Sequence, residues 1–105
     1  MYVILTSRSG EFRTEPGDGM HPVEAYDYVF YGRTTAHFVI ASLERDSRVR
    51  VIEERPPYVI NQVPTKFLEK FDTIEAARAE LRQLATFGSM DIALVPAQRL
   101  LPDPS

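Results

Sequence analysis

Residues 25–43 read AYDYVFYGRTTAHFVIASL, two β-prone runs joined at Tyr31-Gly32-Arg33-Thr34. A hairpin in a small antiparallel sheet ordinarily alternates apolar and polar residues, because one face packs and the other meets water. This one carries apolar or aromatic residues on both faces. The Gly32-Arg33 pair suits a two-residue type II′ loop, since glycine accepts the positive φ required at its first position. That loop sets Val29 opposite Ala36, Asp27 opposite Phe38 and Ala25 opposite Ile40 on one face. On the other face it sets Tyr28 opposite His37, Tyr26 opposite Val39 and Phe30 opposite Thr35.

The next β-prone run is 48–54, after a polar turn at Arg45-Asp46-Ser47. Read as a continuing meander, it adds Val49, Val51 and Glu53 to the first face and Arg50, Ile52 and Glu54 to the second. Upstream, Tyr2–Ser7 and Glu11–Glu15 form a β pair around Arg8-Ser9-Gly10, and PGDGMHP (16–22) reads as a mobile loop of turn formers. Pro56-Pro57 ends the third meander strand, because proline removes a ladder donor. The stretch 58–71 has no clean period and reads as extended chain with a short helical turn, crossing the domain.

One helix is strongly specified, over 72–87. Asp72 is placed to cap it, Glu75 to complete a capping box, Phe71 to act as a staple, and Gly88 to end it. Its stripe Ile74, Ala77, Leu81, Leu84 and Ala85 faces one layer, with charged residues opposite. A short strand, 91–96, follows and pairs near the first. The fold class is therefore α+β, an antiparallel β-meander sheet with one C-terminal helix packed on one face and a final short strand. Residues 1–96 form the domain and 97–105 a flexible C-terminal tail, in which Leu100 and Leu101 have nothing local to pack against.

One helix covers one face. The second, with Tyr26, Tyr28, Phe30, Val39, Leu43 and Ile52, holds more apolar surface than water tolerates as a plain exterior. Its cover is a second copy or a partner, the chain's own strands and the 56–71 crossing, or a ligand. The first of these fits best, because aromatics with arginine match the composition of interface cores. The expected contact residues are Tyr26, Tyr28, Phe30, His37, Val39, Arg50 and Glu54.

The sequence restricts the chemistry available. The chain of 105 residues has no cysteine, twelve Lys and Arg against fifteen Asp and Glu, and a net charge of −3. Thiolate chemistry, disulfides and thiolate metal sites are excluded, and a reducing cytoplasm is the default compartment. No apolar run has the length of a signal segment or a membrane span. Nucleic acid is not the expected partner, given the acidic balance and the absence of a basic run. No GxxxxGK[ST], GxSxG or GxGxxG pattern occurs. Asp18, His21 and Glu24 offer metal-type donors without paired spacing, so no metal site is expected. No cofactor is called for.

Tyr28, His37 and Glu54 fall in one cross-strand row on this register. Tyr and Glu flanking an imidazole is what acid–base chemistry requires, but no nucleophile accompanies them. Asp27 and Glu53 flank Phe38 as a second carboxylate pair. The expected function is a small non-catalytic accessory or binding module acting through its aromatic sheet face as a homodimer or with a protein partner. The alternative is a small enzyme or small-molecule-binding protein with a Tyr28/His37/Glu54 pocket.

Overall fold

The computed structural model describes residues 1–85 and 92–97. Among them the chain forms one seven-stranded antiparallel sheet and one α-helix. The elements are β1 (Tyr2–Arg8), β2 (Phe12–Glu15), β3 (Met20–Phe30), β4 (Arg33–Leu43), β5 (Arg48–Glu53), β6 (Ile60–Pro64), a 3₁₀ turn (Thr65–Phe67), α1 (Ile74–Leu84) and β7 (Ile92–Pro96). The class is the α+β arrangement expected, with the helix near the C-terminal end followed by a short strand. The spatial order, β6-β5-β2-β1-β4-β3-β7, departs from a plain meander. Strand β5 pairs with β2 and β6 rather than with β4. The final strand lies on β3 at the sheet edge, not beside β1.

The β3–β4 hairpin turns one residue earlier than its glycine suggests. Phe30 pairs with Arg33, and the two loop residues Tyr31 and Gly32 have φ of 48° and 77°. Positive φ at both positions is the pattern of a type I′ turn in place of the expected II′, and both types match the right-handed twist of the flanking strands. From there the ladder runs Val29–Thr34 and then Tyr28–Ala36, leaving Thr35 as a bulge. The earlier turn alone moves the register by two and preserves the faces. The one-residue bulge reverses them. Tyr28 therefore opposes Ala36, Tyr26 opposes Phe38, and Asp27 opposes His37. The expected Tyr28–His37 and Tyr26–Val39 pairings do not form.

Both faces of the central strands are covered by the chain itself. On one face Ala36, Phe38 and Ile40 of β4 pack with Ala77 and Leu81 of α1, flanked by Tyr2, Ile4, Tyr26, Tyr28, Phe71, Ile74 and Leu94. On the other, Val3, Leu5, Ala25, Val39 and Ala41 pack with Val49 of β5, and Val51, Val63 and Leu68 close over them. Side chains of β1 and β5 reach each other because the sheet curls where β1 meets β2. There the ladder is reduced to Arg8–Phe12, and Thr14 instead bonds Ser7 Oγ through its N–H and the Thr6 carbonyl through its hydroxyl. The limb β2-β5-β6 thus folds over the second face. Each fully buried Val, Leu or Ile contributes about 1.5–3 kcal/mol relative to exposure, so two-sided cover of β1 and β4 dominates the stability.

Two local expectations are corrected in the loops and helix. PGDGMHP is a loop only through Gly19, because β3 begins at Met20, which is buried. Gly17 approaches the Arg48 carbonyl so closely that a Cβ would lie 1.7 Å from its oxygen. Helix α1 starts one residue later than Asp72 implies: Thr73 is the cap, its Oγ1 accepting the Ala76 N–H at 3.1 Å. Phe71 forms a bridge with Tyr2 through reciprocal backbone bonds of 2.8 Å and packs with the helix cluster. Phe87, Gly88, Asp91, Leu100 and Leu101 lie outside the described residues.

Arg78 fastens α1 to the sheet. Its guanidinium donates through Nε (2.9 Å) and Nη2 to the two oxygens of Glu24, which also accepts the Tyr26 hydroxyl at 2.8 Å. The Arg78 bond holds the Glu24 carboxyl below its ordinary value, against the opposing effect of partial burial. Burial, and then the bond to Glu24, push the Tyr26 phenol up.

A carboxyl whose pKa is lowered by folding contributes stability above its unfolded value, near 4.5, and loses it as pH falls through the folded value. Glu24→Gln is therefore expected to lower Tm by more at pH 7 than at pH 3, measured by thermal circular dichroism; an equal deficit at both pH values would contradict this role. Gly32→Ala is expected to cost about 1–2 kcal/mol through left-handed backbone alone, since nothing lies within 4 Å of the added Cβ. Urea unfolding reads it, and an unchanged midpoint would refute the turn geometry.

Candidate functional site

The residues expected to form one contact face are distributed over several environments. Tyr26 and Tyr28 lie on the helix side, Tyr28 edge-on to Phe38 with ring centroids 6.0 Å apart. Val39 is in the opposite core under the curled limb. Phe30 sits at the hairpin end, edge-on to Tyr31 at 4.6 Å. Arg50 projects from β5 and donates to Glu15 at 2.6 Å. Glu54 continues the β5 ladder, its N–H bonded to the Glu11 carbonyl, and its Oε2 is buried without a partner. Tyr28 and His37 are on opposite faces, so the expected acid–base row is not assembled. Asp27 likewise sits on the face away from the helix, apart from Phe38.

His37 has other neighbours. The registers place Asp27 of β3 and Ser7 of β1 directly opposite it, one on each side. Asp27 Oδ1 lies 2.9 Å from His37 Nδ1, and the imidazole Nε2 is buried without a hydrogen-bond partner. Ser7 is 6 % exposed and its Oγ accepts the Thr14 N–H at 2.9 Å. Serine, histidine and aspartate in one row have the composition of a nucleophilic triad, but no hydrogen bond joins His37 Nε2 to the Ser7 hydroxyl, and Ser7 Oγ has a structural task. It supplies the acceptor that β2 lacks where the sheet curls.

Each of the metal-type donors meets a different side-chain partner. Asp18 meets Arg45 at 2.6 Å, His21 meets Glu44 at 3.3 Å, and Glu24 meets Arg78. Among the described residues no group of three such side chains could hold a metal ion. No helix among them is long and apolar enough to cross a membrane.

One continuous stretch of exposed apolar residues lies elsewhere, along β6. The chain turns after β5 with the Tyr58 N–H bonded to the Arg55 carbonyl, and Tyr58 itself takes φ of 58°. It then returns beside β5, pairing Ile60 with Ile52, Gln62 with Arg50 and Pro64 with Arg48. Among the described residues no further strand pairs with the far side of β6, one of the two outer strands of the sheet. Tyr58 is 60 % exposed, Ile60 58 %, and Phe67 just beyond the strand 72 %. Segment 58–64, YVINQVP, carries no charge.

Soluble proteins ordinarily protect an outer strand with lysine, inward charge or cover. Among the described residues this edge has only its terminal proline. The sequence reading missed it because Asn61, Gln62 and Pro64 interrupt any alternation; the signal present was a pair of β-branched runs free of charge between Pro56-Pro57 and Pro64.

No protein-family model matches the chain, and neither a curated protein nor a solved structure matches it.

Ser7→Ala leaves the buried Thr14 N–H without its acceptor. The expected cost is about 1–3 kcal/mol by chemical denaturation, whereas a change within about 0.5 kcal/mol, the range of neutral surface substitutions, would mean that Ser7 does not hold the β1–β2 junction.

Proposed function

We propose that the protein is a small non-catalytic binding module that works as a homodimer, and that its contact surface is the outer edge of β6 rather than the aromatic sheet face. The observation that carries this reading is the uncharged, exposed edge from Tyr58 to Pro64. The apolar faces of the sheet are already buried against α1 and the curled limb. What is left for association is an open row of backbone donors and acceptors flanked by Tyr58, Val59, Ile60 and Phe67.

A second copy fits this edge better than a charged foreign strand. Across a two-fold axis a strand meets its own sequence reversed, and like charges opposite one another destabilise such a pair. A segment with no charge avoids that conflict entirely. The cysteine-free composition suits a reducing cytoplasm.

Light scattering across a concentration series tests the reading. The native chain is expected to be dimeric. Gln62→Lys puts a charge on the exposed edge and is expected to weaken the dimer at least about tenfold, or about 1.4 kcal/mol, with an unchanged circular dichroism spectrum. Gln83→Lys, the same change on the exposed side of α1, is expected to leave it intact. A monomeric native chain, or equal dimerisation by all three proteins, would overturn the proposal.

A further inference from the structure

The directions of the backbone groups along β6 restrict how two edges can join, given the reading of that edge as the contact surface. Glu53 donates its N–H to the Val59 carbonyl, and Thr65 donates its N–H to the Ser47 carbonyl, both at 2.9 Å. In an antiparallel ladder hydrogen-bonded and non-hydrogen-bonded pairs alternate. Val59, Asn61, Val63 and Thr65 therefore turn their backbone groups toward β5. Ile60, Gln62 and Pro64 turn theirs outward. Pro64 sits where its missing N–H costs the β5 ladder nothing.

We infer that two copies join antiparallel through β6 in a single register, with Asn61 on the two-fold axis. Two-fold registers centred on Ile60 or Gln62 form a single two-way pair, on the axis, with one-way bonds beside it, whereas this register forms two two-way pairs. Centring on Ile60 would set Gln62 opposite Tyr58 of the second copy, whose N–H is already donated to the Arg55 carbonyl. Centring on Gln62 would set Ile60 opposite Pro64, which has no N–H. Registers centred between residues set outward groups against inward ones and close no ladder.

With Asn61 on the axis, Ile60 and Gln62 of the second copy exchange both N–H and C=O with Gln62 and Ile60 of the first. Val59 meets Val63, Tyr58 meets Pro64, and the two Asn61 side chains face each other as amides able to donate and accept. The seven-stranded sheet then continues through the axis into its copy.

Two Asn61 residues form a non-hydrogen-bonded pair, whose Cα atoms sit about 4.5 Å apart, within the span of a disulfide. The chain has no cysteine of its own, so single substitutions report cleanly. Asn61→Cys, Ile60→Cys, Gln62→Cys and the surface control Gln83→Cys are oxidised mildly at one concentration. Covalent dimer is followed by intact mass, with light scattering on the reduced proteins in parallel. The expected result is cross-linking of Asn61→Cys at least tenfold faster than of the other three.

Faster cross-linking at position 60 or 62 than at 61, in proteins that remain dimeric when reduced, would overturn this register and leave the β6 dimer standing. A reduced Asn61→Cys dimer that cross-links no faster than Gln83→Cys would overturn it as well. Monomers by light scattering for the native chain would remove the dimer itself, and the register with it.

Discussion

Strands β1 and β4 are apolar on both faces and lie at the centre of the sheet, so the fold must bury them twice. Val3, Leu5, Val39 and Ala41 point one way, while Ile4, Phe38 and Ile40 point the other. A chain of this length has one helix among its described residues and spends it on the second set. The first set is covered by bending the sheet on itself. The remaining architecture follows from that requirement: a sharp junction between β1 and β2, a limb made of β2, β5 and β6, and Leu68 after the 3₁₀ turn to close the gap.

Bending a sheet breaks its ladder, and the polar residues near the bend repair it. At the β1–β2 junction the strands separate after Arg8–Phe12, and Ser7 and Thr14 replace backbone partners with side-chain ones. A second device of the same kind holds the start of the crossing to the limb. Thr65, fully buried, accepts the Ser47 N–H on its hydroxyl and donates to Asp46, whose carboxyl is held low by that bond and by Lys70. A buried donor or acceptor left alone costs more than a hydrogen bond contributes. These short polar side chains are therefore as much a part of the fold as the valines they adjoin. A serine, a histidine and an aspartate also fall in one row beside the β1–β2 junction, where Ser7 Oγ accepts from the ladder and His37 Nε2 has no hydrogen-bond partner.

The class of the fold was legible because it depends on features carried by single segments. The helix has its stripe, its cap within one residue and its acidic first turn; the hairpin has its glycine; the strands have their β-branched runs. The failures came where one residue changes a parity. Gly32 marks a turn, yet it serves as the second loop residue here because Tyr31 also accepts positive φ, and no rule of composition announces the bulge at Thr35. That bulge exchanges the faces of Tyr26, Tyr28 and Asp27 relative to β4, which dissolved the expected binding face and the Tyr28–His37–Glu54 row together. Side-chain partners on β4 were assigned correctly for the helix, since Ala36, Phe38 and Ile40 do pack on α1. Pairing of β5 with β2 was illegible for a different reason: it joins segments far apart in the chain, and only the need to cover the second face selects it.

The same economy that closes the core leaves the edge open. Strand β6 gives its inward residue Val63 to the core that the limb covers, and its backbone on one side to β5. Its other side meets no further strand among the described residues, since the chain after Pro64 is drawn away by Thr65 toward Phe71 and α1. An outer strand in that position can be made safe at little cost by a lysine at an exposed site such as Ile60 or Gln62, neither of which the core requires. The sequence instead keeps isoleucine, asparagine and glutamine there, with Tyr58 and Phe67 exposed at the two ends. Residues that the fold leaves free to be charged, and that are not, argue for an edge whose exposed state is not its working state.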